Sequence, residues 1–148
     1  MKQVEIHPVT HLPSQIQALE KEAVAEGFRF LTRLIAEWRC GANRFDAPGE
    51  CLMAAYLNQR LIGVAGLSVD PYGEIHTARL RRVYVAASSR GQHVGQTLVK
   101  ALVAHATLHF QNVRLSTDTS EGDAFYLHCG FMRTEDVHAT HIMLLGDA

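Results

Sequence analysis

The stretch Arg90–Val99, "RGQHVGQTLV", places an arginine, a histidine and two glycines where a strand-like run gives way to a helical one. At a helix start those residue types suit anion binding. The first turn of a helix leaves about four backbone N–H groups unpaired at the positive end of the helix dipole, and glycine lets a phosphate come close to them. A Walker A loop would need GxxxxGK[ST], and after Gly91 both the spacing and the lysine are missing; the GxGxxG dinucleotide fingerprint is absent as well. A glycine-capped strand-to-helix turn without a ligand accounts for the decapeptide, by itself, equally well.

The chain around it has 148 residues, a size that suits one domain over 1–148 with one real core. Lys plus Arg (14) nearly balances Asp plus Glu (15), so no overall field gathers nucleic acid or an anionic membrane, and neither is expected as a partner. Cys40, Cys51 and Cys129 are scattered and odd in number, which points to a reducing interior. The N-terminal "MKQVEIHPVTHLPSQ" lacks the apolar core of a signal peptide, and no apolar run is long enough to span a bilayer. A cytoplasmic location follows as the expectation. There is no repeat and no low-complexity tract.

Ser14 followed by Gln17 has the pattern of a capping box ahead of Ile16 and Leu19, so a helix is expected to open there and to break at Gly27. Phe28, Leu31, Leu34, Ile35 and Trp38 give a second helix up to Gly41, and "GANRFDAPGE" a loop. "CLMAAYL" and "LIGVAGLSV", separated by "NQR", read as two antiparallel strands, and "IHTARLRRVYVAA" as the third main strand. The helix that opens at the decapeptide runs to about Phe110 with a wide apolar face. Thereafter "VRLSTDT" is a strand, "EGDAFYLHCGF" a short helix stopped by Gly130, and "DVHATHIMLL" a final strand. The pattern predicts an α/β fold, a mixed sheet covered by helices.

Placed in that frame, "RRVYVAASSRGQHVGQTLVKALVAHA" resembles the acyl-CoA-binding motif of the GNAT superfamily of N-acyltransferases, whose Q/R-x-x-G-x-G/A pattern falls on Arg90, His93 and Gly95. Downstream, Phe125, Tyr126, Gly130 and Phe131 of "FYLHCGF" match that family's F-Y-x-x-x-G-F signature. The order of predicted elements is similar to that fold over nearly the whole chain. Three positions depart from the pattern: His93 replaces a motif glycine, Thr119 stands where asparagine is common, and Gly122 where alanine is common. The first of these bears on cofactor affinity.

The resemblance implies a mostly antiparallel central sheet flanked by helices, with a splay between its two central strands. It implies acetyl-CoA as cosubstrate, with Val83, Tyr84 and Val85 offering backbone groups to the pantetheine arm. Arg90 and the N–H groups of Gly91, Gln92, His93, Val94, Gly95 and Gln96 would hold the pyrophosphate. The Val85 N–H is the expected oxyanion donor and Tyr126 the general acid that protonates the leaving thiolate. The amine must lose a proton to attack, and Glu74 and His76, just before the central strand, are the candidate bases. Arg39, Arg44 and Phe45 are candidates for binding a carboxylate and an apolar group of a small-molecule or peptide amine. Similar proteins commonly form homodimers, and the final "HIMLL" offers a strand for one.

His105 and His109 share a helix face but have no HExxH glutamate between them, so they read as buried or interface histidines, and no metal is expected. Cys129, beside the Phe-Tyr signature, reads as a small buried hydrophobe. Together these features imply an acetyl-CoA-dependent N-acetyltransferase working by direct transfer in a ternary complex. A non-catalytic acyl-CoA sensor or protein-interaction module on the same fold is the alternative.

Overall fold

The computed structural model describes residues 3–146, so the ends of the expected 1–148 domain lie outside the described residues. The strands are β1 (Val4–Val9), β2 (Cys51–Leu57), β3 (Arg60–Val69), β4 (Thr77–Val85), β5 (Asn112–Leu115), β6 (Met132–Asp136) and β7 (Ala139–Leu144). The helices are α1 (Ile16–Ala25), α2 (Phe30–Cys40), α3 (Val94–Ala106) and α4 (Ser120–His128). One sheet holds all seven strands in the order β1-β2-β3-β4-β5-β7-β6, antiparallel throughout except for the parallel pair β4–β5.

The central strands are covered on both faces, which is why β2 and β3 read as near-continuous apolar runs rather than alternating ones. Leu98 and Leu102 of α3 pack with Ile62, Leu80, Val113 and Leu115 on one face; Leu19 of α1 and Leu31 and Leu34 of α2 pack with Val64 and Tyr84 on the other. The β2–β3 hairpin turns at Asn58 and Gln59, with φ of 51° and 65°, the left-handed pair that matches the twist of its strands. Gly41, at φ 82°, ends α2 as expected.

Three expectations need correction. The Ser14–Gln17 capping box does not form: Gln15 occupies the cap position, and its side chain reaches across to the Gln59 carbonyl (2.9 Å) and the Leu61 N–H (3.0 Å) instead. Helix α3 stops at Ala106, four residues before Phe110, where the Thr107 hydroxyl donates to the Ala104 carbonyl (2.6 Å) and the chain turns into β5. The single C-terminal strand is the second arm of a hairpin, β6–β7, whose turn is made by Asp136 accepting from the His138 N–H (2.9 Å).

Position in the sheet creates an opening. β4 and β5 pair only where Thr77, Ala78 and Arg79 face Asn112, Val113 and Arg114. Beyond Arg79, β4 carries a bulge: Arg81 faces Gly66 and Tyr84 faces Val64, leaving Arg82 and Val83 against the single residue Ala65, with Arg82 at φ 60°. A bulge bends its strand and increases its twist, so the last part of β4 parts from β5. That splay stands beside the start of α3.

Candidate functional site

A cavity of about 400 Å³ opens between the end of β4 and the start of α3. Val83, Tyr84 and Val85 line it from the strand, Arg90, Gly91 and His93 from the connecting loop, and Val94, Gly95 and Gln96 from the first turn of the helix. Ser89, Phe125 and His128 complete the wall. Nine of the ten residues expected around a cofactor therefore meet at one place, and Gln92 alone is not in the lining. No side chain caps α3, so its first N–H groups are left for a ligand or for water. A methyl group at Gly95 would lie 3.2 Å from the Phe125 ring and 3.6 Å from Val85, so glycine lets these walls approach the helix start.

His93 is the cap residue of α3 rather than part of its first turn, and its φ of 63° lies in the left-handed region. The glycine of the motif has a physical reason here, since an L-residue in that conformation costs about 1–2 kcal/mol. Histidine is among the residues that tolerate the region best. Its imidazole Nδ1 lies 3.2 Å from the Gln96 side-chain oxygen.

Arg90 is engaged. Its guanidinium makes two bonds to the Glu26 carboxylate (2.7 and 2.6 Å), its Nε donates to the Val85 carbonyl (3.0 Å), and its plane lies 5.3 Å from the centre of the Tyr84 ring. The Tyr84 hydroxyl also donates to Glu26. Hydrogen bonds from Arg90 first and Tyr84 second hold the Glu26 carboxyl below the usual carboxylate range. Burial, reinforced by the hydrogen bond to Glu26, pushes the Tyr84 hydroxyl up. Glu26 follows the last residue of α1 and is 64 positions from Arg90; no local pattern marks it as a partner.

Helix α4 carries the Phe-Tyr signature. Thr119 caps it, its hydroxyl accepting from the Gly122 N–H (3.0 Å), which is the work an asparagine would do at that position. Gly122 is equally determined, because a Cβ there would fall 2.1 Å from the Thr117 hydroxyl. Phe125 faces the cavity; Tyr126 stands behind it, with ring centres 4.9 Å apart, and against Phe131 at 5.7 Å, and does not line the cavity. The Tyr126 hydroxyl has no hydrogen-bond partner among the described residues, and burial, then the neighbouring Cys129, pushes it up. Burial does the same to the Cys129 thiol, which packs against the core.

Asp123 ties α4 to the sheet by two bonds to Arg133 (2.9 and 2.6 Å) and one contact with the buried His141 (2.9 Å). Arg133 first and His141 after it hold the Asp123 carboxyl at about 2. A carboxyl lowered on folding stabilises above its unfolded value, about 3.9, and loses that contribution as pH falls through about 2. The resulting expectation is an NMR titration of Asp123 with a midpoint near 2, moving up toward 3.9 in Arg133→Ala. An unchanged midpoint in the variant would reject the pairing.

Other expected site residues lie elsewhere. Glu74 and His76 are exposed in the turn before β4, at the opposite end of that strand from Val85, about 26 Å away at ~3.3 Å per residue. Phe45 is a core residue, 4% exposed, with its ring pressed so closely on Gly66 that a Cβ there would lie 2.5 Å from it. Arg44 donates from Nε to the Trp38 carbonyl (2.7 Å) at the end of α2, and Arg39 is exposed on its last turn. Of the two paired histidines, His105 is half-buried and contacts the Gly49 carbonyl (3.0 Å), whereas His109 is exposed, contrary to its expected place on a buried face, because α3 has already ended. Among the described residues no group of three or more His, Cys, Asp or Glu is placed to hold a metal, and no helix is long and apolar enough to cross a membrane.

The family model "Acetyltransferase (GNAT) family" matches residues 15–131, which include β4, the α3 start and the Phe-Tyr signature. The chain belongs to the GNAT acetyltransferase family. This GNAT chain is similar in fold to a protein of Exiguobacterium sp. 255-15 (24% identity, TM-score 0.86, covering 96% of this chain and 93% of that one). It is also similar to a GNAT family N-acetyltransferase of Escherichia coli solved in complex with CoA (14% identity, TM-score 0.71, 99% and 83% covered). Glucosamine-6-phosphate N-acetyltransferase of Arabidopsis thaliana shares the fold at 14% identity and a TM-score of 0.61, with 93% and 97% covered. No curated protein matches the chain. The GNAT membership supports an acyltransferase with a CoA-based cosubstrate, and the seven-stranded sheet with its parallel pair at the splay is that of the family.

Proposed function

We propose that this GNAT chain transfers an acetyl group from acetyl-CoA to a primary amine of a small molecule or peptide by direct attack within a ternary complex. The observation that carries the reading is the uncapped start of α3 opening on a cavity walled by Val83–Val85. Unpaired N–H groups at a helix start attract a pyrophosphate, and an apolar strand end beside them suits an extended arm.

The bound thioester supplies an activated acyl carbon. Val83–Val85 align the arm through their main chain, and the N–H groups from Gly91 to Gln96 hold the phosphates. Arg90 joins them by exchanging its Glu26 partner for phosphate. The Val85 N–H polarises the thioester oxygen as the amine attacks. Tyr126, whose hydroxyl has no other partner among the described residues, donates a hydrogen bond to the sulfur as the C–S bond breaks; water takes the proton lost by the attacking nitrogen, and CoA leaves as the thiolate. Glu74 and His76 have no part in this reading, because they stand at the far end of β4.

The position of Tyr126 behind Phe125 favours a second reading, an acyl-CoA-binding module without turnover. Calorimetry with acetyl-CoA, followed by thiol release over a panel of primary amines, separates the two. Amine-dependent release is the expected result. Binding without release from any amine would establish the sensor, and absence of binding would remove both.

A further inference from the structure

A second cavity, of about 440 Å³, lies under the loop after α2, on the face of the sheet that α1 and α2 cover. β4 presents Arg79, Arg81 and Arg82 in close succession; each leaves one buried side-chain nitrogen without a hydrogen bond, but Arg79 and Arg82 have ion-pair partners. Arg79 lies 3.6 Å from Asp70 and donates to the Ser116 hydroxyl (3.1 Å), and Arg82 pairs with Glu37 at 2.9 Å. Arg81 lines the cavity with no hydrogen-bonding or ion-pair partner among the described residues, and its Nε is buried and unpaired. On β3, Ser68, opposite Arg79 in the register and only 4% exposed, also lines the cavity with its hydroxyl unpaired. Arg44 stands at the rim, holding the Trp38 carbonyl through Nε.

Polar groups withdrawn from water are normally paired, and a half-buried guanidinium lining the same cavity as a buried orphan hydroxyl forms a donor set without its acceptor. Desolvation first, then the neighbouring Arg79 and Arg82, weakens the hold of Arg81 on its proton, a cost that an anion at this point would offset. The acidic residues of the cavity do not fill the role. Glu37 is paired with Arg82, while the two oxygens of Glu50 accept from the Ala47 N–H (3.2 Å) and the Val69 N–H (2.8 Å). Asp46 is exposed.

We infer that this cavity binds a carboxylate of the acyl acceptor through the Arg81 guanidinium and the Ser68 hydroxyl, so that the substrate is an amine that also carries a carboxylate. The inference rests on the acyltransferase reading. A planar, singly charged carboxylate matches the guanidinium fork and meets the repulsion of Glu37, Asp46 and Glu50 with half the charge of a dianionic phosphate. Arg81 precedes Val83 by two residues and Val85 by four on the same strand, about 7–13 Å at ~3.3 Å per residue. Amine and carboxylate are thus several bonds apart, as in a dipeptide.

Glycylglycine and glycylglycinamide form the matched test pair. NMR of the arginine side-chain N–H signals is followed while each is added, with inorganic phosphate as a third titrant. A saturable shift of the Arg81 signal with glycylglycine and none with its amide is expected; equal responses, no response, or tighter binding of phosphate would overturn the inference. With acetyl-CoA saturating, the wild type should prefer glycylglycine over the amide by about 10- to 100-fold in kcat/KM, the worth of a charge-assisted hydrogen bond. The preference should fall to about one in Arg81→Gln, persist in part in Arg81→Lys, and weaken in Ser68→Ala. An undiminished preference in Arg81→Gln, or in both other variants should Arg81→Gln not fold, would reject the site. Were no amine to release thiol, the acyltransferase reading would fail by itself, and the NMR titration would still decide whether the cavity takes a carboxylate.

Discussion

Titrated with acetyl-CoA in a calorimeter, Gly95→Glu is expected to give no heat of binding under conditions where the wild type saturates. Gly95 is the second residue of α3 and part of the cavity wall, so the new carboxylate would stand where the pyrophosphate is proposed to lie. Two like charges about 5 Å apart at an effective dielectric near 20 repel by roughly 3 kcal/mol, more than a 100-fold loss of affinity. An acidic residue in the first turn favours the helix itself, so the variant should melt no lower than the wild type on that account. Part of the loss will be steric, since a Cβ at this point lies 3.2 Å from the Phe125 ring. Gly95→Ala isolates that part and should weaken binding by less than about 10-fold, the ring having only a few tenths of an ångström to yield. If alanine abolished binding as completely as glutamate, crowding and not charge would be the cause. If glutamate bound as the wild type does, the helix start would not be the phosphate cradle.

Tyr126→Phe is expected to lower kcat by about 100-fold with the affinity for acetyl-CoA unchanged, which thiol release at saturating cosubstrate and calorimetry would measure together. The substitution keeps the ring contacts with Phe125 and Phe131 and removes a hydroxyl that has no partner among the described residues, so stability should be preserved. Because burial raises this hydroxyl above the ordinary tyrosine value near 10, it retains its proton across the working range. The wild-type rate should therefore show no alkaline limb from tyrosine ionisation up to about pH 10. A developing thiolate, with a thiol value near 8.5, is a weaker base than this tyrosinate, so the hydroxyl acts mainly by hydrogen bonding to the charge as it forms. Full turnover by Tyr126→Phe would remove it from the chemistry and leave it as a packing residue.

"RGQHVGQTLV" and "FYLHCGF" are local patterns, and nine of the ten residues expected at the cofactor do line one cavity because they occupy a strand end, a loop and a helix start in immediate succession. The hairpin at Asn58–Gln59 and the glycine stop of α2 were legible for the same reason. The capping box failed where a distant pairing won: Gln15 bonds to Gln59 and Leu61, which no window around Ser14 contains. Phe45 illustrates the same limit, since an aromatic in a polar loop gives no sign that its ring will cover Gly66. Glu74 and His76 are near β4 in sequence, but an extended strand turns nearness to one end into distance from the other.

From its sequence alone the chain declared an α/β order of elements, a helix start with the composition of an anion site, and the motifs of the GNAT acetyltransferase family, because helix periodicity, turn residues and N–H exposure depend on neighbours within a few positions. Only the tertiary structure decided that Arg90 is held by Glu26, that the bulge at Arg82 opens the sheet, and that Arg81 and Ser68 face one cavity without partners. Those are matters of which charges and hydroxyls finish beside one another. The residues concerned come from separate strands and helices, up to 64 positions apart, so the closing of the sheet and the seating of α1 and α2 determine them.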